Sequence, residues 1–362
     1  MIRFLHAADF HLDSAFAALG PRQAAERRRE SRELAFRLAE YVNAHDIDLV
    51  LLAGDLFDSG SPYRDTGEQL SQALGQMRAK VFAAPGNHDW YGPGSPWTAV
   101  SWPDNVTVFT RNAMETALVP EWNLAVHGGA FTAPEQNTGL LHGFTAPEDG
   151  LLHIGLLHGE LDPRSPYNPI APEDADHSGL AYLALGHIHK RGRREGKTLC
   201  AWPGCLEGRG FDELGEKGFY TGTLHDDGPV SLEFVPFAPH RYEIFEADVT
   251  GQDPRAALDA LLPPDTSADL YRILLTGETG EDGVRLPALH AALESRFYAL
   301  ELRDRTRLRQ DLWSRTGEDS LRGLFLQDLR QRLDAAVSDN QRHRIEAAAR
   351  IGLAALDHRD LG

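Results

Sequence analysis

Residues 49–58 read LVLLAGDLFD and contain an aliphatic run that stops at a glycine and is followed by two carboxylates. Apolar residues in unbroken succession predict a strand that is buried on both faces, as in a parallel sheet. Gly54 ends this strand, and Asp55 and Asp58 come directly after it. Because polar side chains that follow neighbouring strands can converge on one edge of a sheet, the stretch predicts a polar site on an α/β fold.

Strand and helix patterns alternate on either side of this stretch. A strand at 2–8 and a charged helix at about 24–44 precede it, and a helix at 67–77 and a strand at 81–84 follow it. Beyond residue 106 short strands separated by turns dominate, which favours antiparallel or mixed pairing. We therefore expect a four-layer α/β/β/α sandwich rather than a purely parallel sheet.

The sequence pattern beyond residue 237 differs from that of the preceding part. Residues 238–305 read as strand, helix, strand, helix, strand, which predicts a small cap domain after a first domain at 1–237. Residues 306–362 are charged and predict a helical tail, with Ser320 as a candidate helix N-cap and a second helix at about 341–356. One face of the first tail helix is apolar at helical spacing: Leu321, Leu324, Phe325, Leu329 and Leu333.

The composition limits the classes of function. The 362 residues include 36 Lys and Arg against 54 Asp and Glu, which gives a net charge of -18. This excludes a globally basic surface that coats nucleic acid, so any DNA contact must be local. No apolar run reaches the roughly 18 residues of a membrane span and the N-terminus has no signal-peptide core, so we expect a cytoplasmic protein without a membrane segment. Cys200 and Cys205 are expected to be reduced packing residues.

Five groups of Asp, Asn and His residues each follow a predicted strand. They are Asp9 and His11, Asp55 and Asp58, Asn87 and His88, His158, and His187 and His189. Any single group is more often a turn or an exposed loop than a ligand set, but all five together favour a metal site. Carboxylates mixed with imidazoles suit Mn²⁺, Fe²⁺ or Zn²⁺. The set is large enough for two ions that share a carboxylate, an arrangement that activates hydroxide against phosphorus esters.

In their order these groups resemble the five motifs of the calcineurin-like metallophosphoesterase superfamily, over roughly the first 235 residues. The resemblance implies two ions that share Asp55. One ion would be held by Asp9, His11, Asp55 and His189, and the other by Asp55, Asn87, His158 and His187. The resemblance also implies that His88 contacts the phosphate and protonates the leaving oxygen, while Asp58 orients the His88 ring.

Other stretches resemble particular branches of the superfamily. Asp58 is followed by Ser59 instead of the phosphate-binding Arg of protein phosphatases, which argues against that class. Residues 6–14, HAADFHLDS, look like the SbcD-type DNA repair nucleases, and residues 203–211, PGCLEGRGF, are similar to the YhaO-type bacterial subgroup. This resemblance implies a Mn²⁺-dependent exonuclease or endonuclease in which a metal-bridging hydroxide cleaves DNA. It further implies a homodimer that works with an SbcC-type coiled-coil ATPase.

Two surfaces are candidates for contacts with these partners. The tail helices could dock onto the ATPase coiled coil, or they could pack on their own domain. The possible DNA contacts are Lys190, Arg191, Arg193, Arg194 and Arg209, whereas the residues from Arg27 to Arg29 are expected to be ordinary surface. Two alternatives to the nuclease stay open. One is a phosphodiesterase for nucleotides or other small esters, and the other is a DNA-end-binding regulatory subunit without catalysis.

Overall fold

The computed structural model describes residues 1–60, 62–225, 228–280, 283–308 and 312–356. The strands in these residues are β1 (Ile2–Ala7), β2 (Leu49–Leu52), β3 (Lys80–Ala83), β4 (Val106–Val108), β5 (Glu115–Val119), β6 (Leu124–Gly128), β7 (Leu152–His158), β8 (Tyr182–Gly186), β9 (Gly192–Arg194), β10 (Leu199–Trp202), β11 (Gly218–Leu224), β12 (Ser231–Pro236), β13 (Tyr242–Asp248), β14 (Leu270–Thr276), β15 (Glu278–Thr279), β16 (Ala299–Asp304) and β17 (Arg307–Leu308).

The helices are α1 (Pro21–Ala44), α2 (Arg64–Gly75), α3 (Pro96–Ala99), α4 (Pro172–His177), α5 (Pro254–Leu261), α6 (Leu286–Leu293), α7 (Leu321–Asp334) and α8 (Asp339–Leu356). Two single 3₁₀ turns lie at Pro120–Trp122 and Glu294–Arg296. Among the helices of the described residues, none is both long enough and apolar enough to cross a membrane.

Two six-stranded mixed sheets form the body of the fold. Their strand orders are β12-β11-β1-β2-β3-β4 and β5-β6-β7-β8-β10-β9. β1 pairs parallel with β2 and antiparallel with β11, which confirms the mixed pairing expected from the sequence. Because Ala7 aligns with Leu52, and Leu52 with Ala83, the loops after β1, β2 and β3 leave the first sheet at the same edge.

The layers follow from the alternation of side chains along each strand. In β1, Leu5 packs into a core with Leu38 of α1 and Leu74 of α2, whereas Phe4 packs with Ile154 and other residues of the second sheet. A further core covers the opposite face of the second sheet and includes Ala175 of α4. This order of helices, sheet, sheet and helix confirms the four-layer α/β/β/α sandwich.

The chain divides into two compact units. The first contains residues 1–245, 262–273 and 290–302, and the second contains residues 246–261, 274–289 and 303–362. Elements β13, α5, β14, α6 and β16 follow the predicted strand and helix order, and β13, β14 and β16 form a three-stranded sheet. The predicted domain boundaries after residues 237 and 305 stay predictions.

The tail helices confirm one prediction and correct another. Ser320 Oγ accepts a hydrogen bond from Gly323 N at 3.1 Å, so Ser320 is the N-cap of α7. The predicted apolar stripe is wrong at two positions, because Leu321 is 74% exposed and Leu324 is 61% exposed. Leu326 is buried instead, together with Leu329 and Leu333, and this face packs against α8. Residues 309–311 and 357–362 of the predicted tail lie outside the described residues.

Candidate metal centre

Unusual backbone conformations place the first ligand candidates. Asp9, His11 and Asp55 have φ angles of 54°, 46° and 51°, in the left-handed region that side chains rarely adopt. Asp9 N donates to Gly54 O and His11 N donates to Asp55 O, each at 3.0 Å, so the two loops hold one another. A Cβ atom at Gly86 would collide with the Asp55 carboxylate, so the loop after β3 needs glycine there. These contacts fix the carboxylates at the sheet edge.

The structure brings the first predicted ligand group together. His11 Nε2 lies 3.1 Å from His189 Nε2, and His189 Nε2 lies 3.9 Å from Asp9 Oδ1. The Asp55 carboxylate lies 3.8 Å from His11 Nε2. Asp9, His11 and Asp55 are buried. The donor atoms therefore surround one small volume, as a single ion requires.

The second predicted group meets on the other side of Asp55. His158 Nε2 lies 3.3 Å from Asp55 Oδ2 and 3.0 Å from Asn87 Oδ1. His187 Nδ1 lies 3.2 Å from the same Asn87 oxygen. Asp55 Oδ2 thus lies beside an imidazole of each group. This is the position expected of a ligand that two ions share.

Hydrogen bonds on the side away from the centre show which nitrogen of three imidazoles can bind a cation. His11 Nδ1 lies 3.0 Å from Asp58 Oδ1, His158 Nδ1 lies 2.8 Å from Ala53 O, and His189 Nδ1 lies 2.8 Å from Glu213 Oε1. Each Nδ1 therefore carries the proton, and each Nε2 presents a lone pair to the interior. Lone pairs of nitrogen and oxygen then face one another at 3.0–3.9 Å, which is unfavourable unless positive charge lies between them.

Burial and mutual charge set the protonation of the metal-free groups. Burial raises the pKa of Asp9 to about 6, and it lowers the pKa of His11 and that of His187 to about 4. Burial also opposes charge on His158 and Asp55, but their mutual attraction outweighs it. The pKa of His158 therefore rises to about 9 and that of Asp55 falls below its usual range. A divalent ion would take over the role of the proton on these nitrogens.

The structure places His88 beside this centre and changes the expected role of Asp58. His88 is exposed, and its ring centroid lies 4.8 Å from that of His11. His88 Nδ1 lies 3.1 Å from the main-chain oxygen of Asp58. The Asp58 carboxylate contacts His11 and Arg209 instead, each at 3.0 Å. The expected orientation of His88 by that carboxylate is therefore replaced by a main-chain contact, because the carboxylate lies between two other donors.

Two acidic residues that the sequence analysis did not select support the centre. Glu213 accepts from His189 and from Arg209 Nη2, the latter at 2.6 Å. Asp89 is buried and accepts from Gly86 N at 2.7 Å and from Leu56 N at 2.8 Å. Asp89 directly follows the Asn-His pair of its loop and could have been considered from that position, whereas no sequence signal connects Glu213 with the centre.

The predicted DNA contacts occupy different surroundings. Arg209 lies at the metal centre, whereas Arg194 forms an ion pair with Asp176. Arg193 pairs with Glu195 at 3.0 Å, and the Arg191 guanidinium lies 4.0 Å from the centre of the Phe234 ring. Lys190 is exposed. Of this set, only Arg209 therefore lies beside the candidate catalytic residues. DNA contact by the other four stays a prediction.

Arg27 is not the surface residue expected from its charged run. Its side chain is fully buried, and it forms an ion pair with Glu207 at 2.5 Å and another with Glu30 at 2.7 Å. The expectation is wrong because Glu207, on the loop after β10, supplies a buried carboxylate opposite this face of α1. Arg29 is exposed as expected. Both cysteines are free and buried, as predicted.

Comparison with known proteins agrees with this geometry. The profile of the calcineurin-like phosphoesterases matches residues 2–191, which is more than half of the chain. The chain belongs to this family. The clustered donors give this family member a candidate metal centre.

Individual relatives match a larger part of this chain than the family profile does. The protein from Bacillus subtilis (strain 168) named "Uncharacterized metallophosphoesterase YhaO" is 31% identical over 262 residues, 69% of this chain and 64% of the relative. This chain thus spans less than two thirds of the length of that relative. The "DNA double-strand break repair protein Mre11" of Aeropyrum pernix is 27% identical over 327 residues, 82% of this chain and 74% of the relative.

A solved structure is also similar. The crystal structure of a dimetal phosphatase from Danio rerio has a TM-score of 0.40 and 11% identity, over 64% of this chain and 98% of that chain.

Proposed function

We propose that this protein is a Mn²⁺-dependent DNA nuclease of the SbcD type, which hydrolyses phosphodiester bonds in DNA repair or DNA-end processing together with an SbcC-type ATPase. The observation that carries the chemistry is the position of Asp55 Oδ2, between His11 Nε2 at 3.8 Å and His158 Nε2 at 3.3 Å. Similarity to the Aeropyrum repair protein supports DNA as the substrate.

The residues of the centre divide the work of the proposed reaction. Two divalent ions, when bound by these donors, would withdraw charge from the phosphate oxygens and activate water. Asp9 and the clustered imidazoles would hold these ions in place. His88 is exposed at the rim, and its Nδ1 proton is held by the Asp58 carbonyl. Its Nε2 is therefore the atom that can deliver a proton to the leaving oxygen.

The complete donor set supports catalysis over a purely regulatory role. A tethering subunit needs neither seven converging ligand candidates nor an exposed imidazole beside them. The net charge of -18 favours a second candidate, a phosphodiesterase for nucleotides or other small esters, because such substrates need no extended basic surface. Both enzyme candidates use the same centre, and they differ in what must bind around it.

The experiment is digestion of end-labelled linear double-stranded and single-stranded DNA by the purified protein with Mn²⁺. His88→Ala is expected to lower the cleavage rate at least about 100-fold, since a positioned general acid is worth about 10²–10⁴ in rate. The same variant should keep its bound metal, measured by elemental analysis, because His88 is not among the proposed ligands.

His45→Ala is the matched control, since this histidine is exposed at the end of α1. It is expected to cleave DNA at the rate of the unmodified protein. Loss of metal from His88→Ala would contradict its assigned role. Intact DNA together with hydrolysis of a chromogenic phosphodiester would contradict DNA cleavage by the isolated chain. Either the nuclease then requires its ATPase partner, or the substrate is a smaller ester.

A further inference from the structure

A second feature of the first unit adjoins the metal centre. A cavity of about 500 Å³ is lined by Asp58 and Arg209, the residues at the rim of the centre, and by Arg272 of β14. One wall is the loop at 14–18, which directly follows the first ligand pair. Another wall is Phe211. The volume is that of a small-molecule site and exceeds what a phosphate group alone would fill.

The part of this cavity at the metal centre carries a guanidinium group that two carboxylates hold in place. The Arg209 guanidinium bonds Asp58 Oδ1 at 3.0 Å and the Glu213 carboxylate at 2.6 Å, and its side chain is only 17% exposed. These two carboxylates hold the guanidinium in one orientation at the rim. Nε and Nη2 bond Glu213 and one N–H of Nη1 bonds Asp58, so the second N–H of Nη1 is the donor that a phosphate next to the metal centre could use.

The lining also includes a flat surface whose charge is balanced. The Arg272 guanidinium lies 4.1 Å from the centre of the Phe211 ring and bonds Glu301 at 2.8 Å. The charge of Arg272 is thus balanced, so its guanidinium favours stacking over the binding of another phosphate. Ala15, Ala17 and Ala18 add apolar lining to the same cavity. Guanidinium planes backed in this way are surfaces on which nucleobases stack.

We propose that this cavity binds the nucleoside adjoining the scissile phosphate, with its base stacked on the Arg272 guanidinium that Phe211 backs. The inference rests on the proposed function and assigns the side chains that recognise the nucleoside part of its substrate. Arg209 then lies on the side of the phosphate, and the apolar wall at 15–18 lies beside the sugar and base.

The test compares three chromogenic diesters with one leaving group on the Mn²⁺-loaded protein. Two are the 5′- and 3′-(4-nitrophenyl phosphate) esters of thymidine, and the third is methyl 4-nitrophenyl phosphate. At least one thymidine ester should be hydrolysed with a kcat/KM about tenfold or more above that of the methyl ester, since stacking of one base contributes on that scale. Arg272→Gln should lower the ratio of the two kcat/KM values, thymidine ester to methyl ester, about tenfold. Phe211→Leu should also lower this ratio, while leaving Arg272 and Glu301 in place.

Arg241→Gln is the matched control, because Arg241 bonds Asp269, the residue before β14, at 2.8 Å and does not line this cavity. It should leave the ratio unchanged. Equal kcat/KM for the thymidine and methyl esters in the unmodified protein would overturn the inference. So would an unchanged ratio in both Arg272→Gln and Phe211→Leu.

Calorimetric titration separates this inference from the proposed function. Thymidine 5′- or 3′-monophosphate should bind the Mn²⁺-loaded protein at least about tenfold more tightly than methyl phosphate, and Arg272→Gln should remove the difference. If no diester is hydrolysed but this difference in binding is found, the proposed function fails and the nucleoside site stands. If the methyl ester is hydrolysed but no nucleoside preference exists, phosphodiesterase activity stands and the nucleoside site is wrong.

Discussion

At the scale of single residues, the metal centre depends on groups that hold its imidazoles from outside. Glu213 accepts from His189 Nδ1 at 2.8 Å and is itself buried. Although burial favours its neutral form, the bonds to His189 and Arg209 hold the pKa of Glu213 well below its usual range. Glu213 is therefore a charged group that directs the His189 Nε2 lone pair toward the ligand cluster.

Glu213→Gln keeps the shape of this side chain and removes its charge. We expect the Mn²⁺ affinity to fall about 10- to 100-fold, because second partners of metal-binding histidines contribute on this scale. Titration of the metal-free protein with Mn²⁺ measures the change. Glu216→Gln is the control, since Glu216 is exposed on the same loop. Equal affinities of the two variants would show that Glu213 does not position His189.

His6 gives a prediction for pH dependence. Burial lowers its pKa from 6.5 to about 3, and its Nδ1 lies 2.8 Å from the Tyr182 hydroxyl. The folded protein keeps the ring neutral, whereas the unfolded chain takes up a proton below pH 6.5. His6 therefore costs stability as the pH falls from about 6.5 toward 3.

Between pH 7 and pH 5, His6 should account for a loss of about 2 kcal/mol in the free energy of unfolding. Chemical denaturation of the metal-free protein at both pH values measures the loss. His6→Gln should reduce it by this amount, and His45→Gln, with an exposed ring, should not. An undiminished loss in His6→Gln would mean that His6 is protonated in the folded state.

The ligand candidates could be predicted from the sequence because each lies directly after a strand, where local spacing determines its place. Glu213 and the ion pair of Arg27 could not. Glu213 is 24 residues from His189, and Arg27 is 180 residues from Glu207. Such contacts depend on how distant loops pack. A charged run is typical of exposed helix faces, so the pattern around Arg27 predicts the wrong environment.

At the scale of elements, the register of α7 decides which leucines form a core. Leu326 is 1% exposed and packs with Leu329 of α7 and Ala349 of α8, whereas Leu324 is 61% exposed. Leu326→Ala should lower the free energy of unfolding of this helix pair by about 2–5 kcal/mol, since it leaves a cavity. Leu324→Ala should change it by less than about 0.5 kcal/mol.

Hydrogen exchange of the α7 and α8 amides measures both changes. Faster exchange in Leu326→Ala than in Leu324→Ala is expected. Faster exchange in Leu324→Ala than in Leu326→Ala would mean that the apolar stripe predicted from the sequence, with Leu324 facing inward, is the packed face in solution.

Strand positions were predictable where the strand is buried on both faces. β2 is predicted at 49–53 and spans Leu49–Leu52, because an unbroken aliphatic run has few alternatives. β5 and β9 contain no such run. β5 alternates partly buried and exposed residues, and β9 has three residues of which two are arginines. Short edge strands of this kind are defined by their partners, β6 and β10, and carry little signal of their own.

At the scale of the whole molecule, the sandwich explains how residues from Asp9 to His189 reach one site. The parallel pairs β1 with β2 and β2 with β3 bring three loops to one sheet edge, and the pair β7 with β8 does the same in the second sheet. The order of the motifs could be predicted, but the loop after β10 adds Glu207, Arg209 and Glu213 from outside that pattern. This loop needs its own attachment to the body of the fold.

The ion pair between Arg27 and Glu207 provides that attachment, since both side chains are buried and join α1 to this loop. Arg27→Met leaves the Glu207 carboxylate buried without its partner and should lower the free energy of unfolding by about 3–5 kcal/mol. Adding Glu207→Leu should recover most of the loss, because the second change removes the uncompensated charge. Arg29→Met, at an exposed pair with Glu33, should cost less than about 1 kcal/mol. Urea denaturation of the four proteins measures these differences, and a loss in Arg27→Met no larger than in Arg29→Met would show that the pair does not hold the loop.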